Sequence, residues 1–230
     1  MAKQDERQLS GKVVRIGARQ AQCSQPGVIH HLGQVFQQQR TPDGADTAQP
    51  LPLILLGHSL GGLVVGRFVS LGIRPVDGLV MSSPALDPGL NAFQKLLLAV
   101  LPAIAPNLRI NNGLNPDYIS HDAQVVRKYL ADPLVHAKIS ARLARFIASA
   151  GPATVAAAGN WGTPTLLMYA GADKLVNPAG SRAFAEAAAR GPGAKTLTVK
   201  CFDELYHEIF NELDAAPVFA ALKAWLDSRF

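Results

Sequence analysis

The run Leu53-Ile54-Leu55-Leu56-Gly57-His58-Ser59-Leu60-Gly61-Gly62-Leu63-Val64-Val65 constrains this chain more tightly than any other stretch. An unbroken apolar strand runs into G-x-S-x-G and then into an apolar helix, the context in which a serine sits on a sharp strand-to-helix turn. Such a turn holds the serine in strained backbone geometry and admits only small residues two positions to either side, hence Gly57 and Gly61 around Ser59. The strain lifts the hydroxyl above the sheet, making Ser59 a candidate nucleophile, and the helix start places the Leu60 amide as a candidate oxyanion donor. The bland alternative is a Gly-Ser-Gly turn without chemistry.

From Leu51 onward, short apolar runs alternate with helical patterns, as expected of a parallel sheet covered by helices on both faces. The spacing predicts strands over Leu53–Leu56, Gly78–Ser82, Thr165–Ala170 and Thr196–Cys201, with Lys12–Ile16 as a weaker one. Helices are predicted near Val28–Phe36, Gly62–Leu71, Ser181–Arg190 and Pro217–Leu226, the last with Asp214 near its N-cap. Thr41–Pro50 is rich in breakers and reads as a loop. Between Ser83 and Thr165 lie about 80 residues with helical patterns only, too long for a structureless loop in a compact domain. Candidate helices there are Ala92–Leu101, His121–Leu130 and Val135–Ala148, the last stopped by Gly151. The expected fold class is therefore α/β with a helical cap inserted: residues 1–86 as the first part of the core, 87–160 as cap, and 161–230 as the rest of the core.

Composition excludes several other classes. The 22 Lys and Arg residues against 17 Asp and Glu leave a net charge of +5, but they are scattered without a basic run, so nucleic-acid binding is not expected. Cys23 and Cys201 are too few and too far apart for a metal cluster or a disulfide framework, and both are expected to be free thiols. The longest apolar run, Leu96–Ala105, contains Pro102 and falls far short of the roughly 20 residues a spanning helix needs. The start, Met1 to Arg7, is charged and followed by no apolar region, so a cytoplasmic location is expected, with peripheral membrane contact left open.

A serine hydroxyl needs a base to take its proton and a carboxylate to orient that base, in chain order Ser, Asp, His for this architecture. Of the downstream histidines, His121 and His136 fall within cap patterns, whereas His207 follows the last predicted strand. Asp173 sits just after the preceding strand, in Gly171-Ala172-Asp173, where a carboxylate can accept from the imidazole Nδ1. Asp203 is the rival acid, closer in sequence but more in keeping with a solvated loop.

The segments Gly57-His58-Ser59-Leu60-Gly61-Gly62, Ser82-Ser83-Pro84-Ala85-Leu86, Asn112-Gly113-Leu114-Asn115-Pro116, Ala131-Asp132-Pro133-Leu134-Val135-His136, Gly171-Ala172-Asp173 and Tyr206-His207-Glu208-Ile209-Phe210-Asn211-Glu212 follow one another in the chain. Together they resemble the bacterial monoacylglycerol lipases of the α/β-hydrolase superfamily. The likeness runs from about Val28 to the C-terminus. It implies hydrolysis of carboxylic esters through an acyl-enzyme, acyl glycerols as substrates, no cofactor and no metal. One departure stands out: no histidine here is followed by glycine, although the family's His-Gly loop supplies the second oxyanion donor. Upstream strands of the family fold are accordingly expected to be missing or altered. Three readings follow: a monoacylglycerol-lipase-like esterase; a lysophospholipase, general esterase or peptidase with the same residues; and a catalytically silent relative that binds lipid or a partner through its cap.

Overall fold

In a computed structural model, which describes residues 13–16, 52–87, 89, 98–101 and 103–230, the sheet forms as its sequence pattern requires. Five parallel strands lie in the order β1-β2-β3-β6-β7: β1 Val13–Ile16, β2 Ile54–His58, β3 Gly78–Ser82, β6 Thr165–Ala170 and β7 Leu197–Phe202. Register pairs Ile54 with Gly78 and His58 with Ser82, which brings the ends of β2 and β3 level. The predicted strands coincide with these to within two residues at either end. The helix expected near Val28–Phe36, the loop Thr41–Pro50 and Cys23 lie outside the described residues.

The continuous apolar runs are explained by burial on both faces. Successive side chains of a strand point to opposite sides, so each run divides between two cores. Leu53, Leu55, Leu79, Met81, Leu167 and Tyr169 pack on one side with α1 (Leu60–Ser70), while Ile54, Val80, Leu166, Met168 and Ala170 pack on the other. The second side is closed by Val218 and Trp225 of the C-terminal helix, Ala216–Arg229. That helix begins after Ala215, not at an Asp214 cap. Phe219 of the same helix is 54% exposed and meets Phe210 edge-on at 5.2 Å.

The insertion between β3 and β6 is not purely helical. Residues 98–101 are helical, whereas Phe93, Leu96 and Leu97 of the first expected cap helix lie outside the described residues. Further on, β4 (Arg109–Asn111) pairs antiparallel with β5 (Lys138–Ser140), joining Ile110 to Ile139. Between them stands α2, Ala123–Ala131, capped by Asp122, whose side chain accepts from Gln124 N. The helix expected over Val135–Ala148 instead starts as α3 at Ala141, because Ser140 caps it by accepting from Leu143 N at 3.1 Å.

Gly151 does not stop α3, which runs on through Pro152 to Ala157. A Cβ at Gly151 would lie 2.4 Å from the carbonyl oxygen of Leu86, so this glycine is present for close packing. Phe146, Ala150 and Ala158 join the same core cluster as Leu63 and Phe68 of α1. The insertion 87–160 thus lends α3 to the layer covering the sheet. The remaining helices are α4, Ala179–Ala189, and the short α5, Gly193–Thr196; with these numbered, the C-terminal helix is α6.

Candidate active site

Ser59 occupies the single residue between the end of β2 and the start of α1, with φ 55° and ψ −121°. A side-chain-bearing residue seldom adopts this left-handed region, and strain there is characteristic of functional positions. The turn is held to the neighbouring strand: Ser59 N donates to Ser82 O at 2.8 Å, and Ser59 O accepts from Ala85 N at 3.1 Å. A Cβ at Gly57 would lie 2.3 Å from the carbonyl oxygen of Gly61, so the elbow closes only without one. Gly57→Ala is accordingly expected to leave a folded sheet with a displaced elbow and little activity; near-parental turnover of that variant would contradict the steric reading. Leu60 opens α1, where first-turn N–H groups have no partner inside the helix.

Asp173 and His207, the candidate acid and base, are brought together across the strand ends. Asp173 follows β6, and its Oδ1 accepts from Leu175 N and Val176 N, both at 2.9 Å. Its Oδ2 lies 2.7 Å from His207 Nδ1, with both side chains buried, 2% and 7% exposed. That contact places the Nδ1 proton toward the carboxylate and leaves Nε2 as the basic nitrogen. The His207 ring sits 4.8 Å, centroid to centroid, from that of His58, the residue preceding Ser59. Asp203 is exposed and its Oδ1 instead accepts from Cys201 Sγ at 3.1 Å. His136 is exposed in the turn before β5, and His121 precedes α2 rather than lying in it.

Two acidic residues that sequence reading left without a role stand on the His207 loop. Glu208 Oε1 is 3.3 Å from His58 Nε2, and its Oε2 accepts from Asn211 Nδ2 at 2.8 Å. Burial works to raise the Glu208 carboxyl, but the contacts with His58 and Asn211 and the nearby His207 hold it down at about 2. A folded-state value below the unfolded one stabilises the fold above about 4.5, and that contribution is lost as pH falls toward 2. Glu208→Gln should therefore flatten the acid loss of stability in this window; a variant melting as steeply with pH as its parent would count against it. Glu212 receives donors from Tyr206, Ser120 and His121. The signal for both lay in the motif Tyr206 to Glu212, whose acidic positions carried no chemistry until placed in space. Among the described residues, no three His, Cys, Asp or Glu side chains gather as a metal ion would require.

The family model described as serine aminopeptidase, S33, matches residues 27–214, which include the elbow, Asp173 and His207. The chain belongs to this family of α/β-hydrolases. The S33-family chain is 32% identical over 182 residues to a monoacylglycerol lipase of Mycolicibacterium smegmatis, covering 78% of itself and 63% of that protein. It is 34% identical over 181 residues to the phospholipase YtpA of Bacillus subtilis, covering 77% and 68%. The crystal structure of Paleococcus ferrophilus monoacylglycerol lipase matches with TM-score 0.78 at 31% identity, over 91% of this chain and 77% of that one. The S33-family chain thus spans roughly two thirds of the length of these two curated relatives.

Proposed function

We propose that this protein is a serine hydrolase of carboxylic esters, with monoacylglycerols as its substrates. Ser59 is the nucleophile, His207 the base and Asp173 the acid. The observation that carries the reading is the buried 2.7 Å contact of His207 Nδ1 with Asp173, placed beside an elbow whose serine has φ 55°. In the first step His207 Nε2 takes the Ser59 proton as Oγ attacks the ester carbonyl, and the oxyanion forms against N–H groups at the start of α1. The imidazolium, stabilised by Asp173, then gives its proton to the departing glycerol oxygen. Water, deprotonated by the same nitrogen, next attacks the acyl-Ser59 carbonyl, and His207 Nε2 returns that proton to Ser59 Oγ as the bond to the acyl group breaks and the fatty acid leaves.

The ester reading is favoured over a peptidase by the named activities of the relatives, a monoacylglycerol lipase and a phospholipase, although the family description names an aminopeptidase. A fluorophosphonate probe on the purified chain, with monoacylglycerol, lysophospholipid and aminoacyl amide offered in parallel, tests both choices. Labelling at Ser59 with preferred release of fatty acid from monoacylglycerol is expected; preference for the amide would overturn the substrate assignment. No labelling would favour the silent relative.

The cap is proposed to meet the lipid surface from which such substrates are drawn. What supports this is that Ile104 is 79% exposed, Leu130 63% and Leu134 61%, three large apolar side chains of the insertion open to solvent. No described helix is long and apolar enough to cross a membrane. Burying one such side chain contributes about 1.5–3 kcal/mol, so Ile104→Asp with Leu134→Asp should weaken binding to phosphatidylcholine vesicles by about 10-fold or more. Turnover of a water-soluble ester should be unchanged. Equal vesicle binding by parent and variant would leave the cap no role at a lipid surface.

A further inference from the structure

We infer that Glu212 is a positioning residue that ties the base of the cap, Ser120 and His121, to the loop carrying His207, so that placement of the base depends on how the cap is seated. The inference rests on the proposed role of His207. Glu212 follows the short helical turn Ile209–Asn211, and its side chain is 1% exposed. Oε1 accepts from Tyr206 N at 2.7 Å and from His121 Nδ1 at 2.9 Å. Oε2 accepts from His121 N at 3.0 Å, with Ser120 Oγ at 3.4 Å.

A carboxylate is suited to this place because it is acceptor-only and can take several donors at once. Left unpaired there it would be costly; paired, it joins two segments far apart in the chain. Burial works to raise its carboxyl, yet the Tyr206 N–H and the N–H and ring of His121 hold it below the ordinary range. The junction is reinforced where Glu208 N donates to Ile119 O at 2.8 Å and where the His121 ring stacks on Tyr206 at 3.6 Å.

The consequence for His207 follows from chain connectivity. Asp173 sets the rotation of the imidazole through Nδ1, but it cannot set the backbone from which the ring hangs. Tyr206 immediately precedes His207, so the bond from its N–H to Glu212 governs that backbone. A cap that lifts from Ser120 and His121 removes donors from Glu212 and loosens its hold on the loop. Loss of about 1 Å in the placement of a base can cost on the order of 10² in rate.

The test uses the full chain, a water-soluble short-chain ester and fluorophosphonate titration of competent sites. Per titrated site, Glu212→Gln should lower kcat by about 10-fold to 10²-fold with KM nearly unchanged, because one amide nitrogen must face a donor that the carboxylate accepted. His121→Ala should lower kcat in the same sense, and the double variant should be little worse than the worse single one. A lower melting temperature with unchanged kcat per site would reduce Glu212 to a structural residue, and additive losses would show that the pair does not act together. If Glu212→Gln fails to fold, unchanged kcat per site in His121→Ala overturns the inference. Failure of the parent chain to label at Ser59 would instead overturn the proposed function, a separate and distinguishable result.

Discussion

Ser59→Ala is expected to abolish ester hydrolysis and fluorophosphonate labelling together, a loss on the order of 10⁶ in turnover if the three residues act as one unit. The expectation rests on backbone as much as on the side chain: Ser140, which also lies between a strand and a helix, has extended backbone (φ −74°, ψ 151°), and its Oγ caps α3 by accepting from Leu143 N. Ser83 is the demanding control. Like Ser59 it has a positive φ, 39°, and its Oγ is buried without a hydrogen-bond partner. Yet it follows β3 and leads into Pro84, so no helix start lies behind it to receive an oxyanion. Turnover measured in Ser59→Ala, Ser83→Ala and Ser59→Ala with His207→Ala decides the matter. The double variant should be little worse than Ser59→Ala alone; activity retained by Ser59→Ala and lost in Ser83→Ala would reverse the assignment.

Asp173→Asn carries the second large effect, a fall on the order of 10⁴ in turnover, the size seen when an amide in this position presents the wrong histidine tautomer. Two features make the expectation specific. Oδ1 is occupied by the Leu175 and Val176 amides, which hold the side chain in one orientation and leave Oδ2 for His207. Asparagine can keep its oxygen on those amides, but its NH2 must then face Nδ1 and forces the proton onto Nε2, where the base is needed. Folding should be little affected while kcat collapses. Asp203→Asn should lose far less, because its carboxylate lies on the surface against Cys201. Similar losses from the two variants would contradict the placement of the acid.

Much of this was legible because local chemistry and global fold agree. The G-x-S-x-G run marked Ser59, Gly57, Gly61 and Leu60 through turn sterics alone, and the periodic pattern marked β2, β3, β6 and β7 because a doubly buried strand must be apolar throughout. Asp173 and His207 were singled out as candidate acid and base from chain order, each in the loop after its strand, and the structure sets them 2.7 Å apart. Errors arose where one residue type answers to two causes. Gly151 read as a helix stop but is a packing glycine against Leu86, a contact that no local pattern reveals. Ile139 read as part of a helical face but pairs with Ile110 across β4 and β5, because Ser140 delays the helix start.

The sequence by itself determined the architecture of the sheet and the elbow and singled out Ser59, Asp173 and His207 as candidates, since each is marked by interactions within a short stretch or by the order of strands. Tertiary structure alone decided which of the remaining polar groups work beside them. His58 and Glu208 meet only because the His207 loop returns to the end of β2, and Glu212 gathers donors from Ser120 and His121 only because the insertion folds back there. A buried carboxylate is defined by the donors around it, and those donors are far away in the chain. Hydrophobic periodicity records which face is covered, but it carries no record of which distant N–H groups converge on one acid.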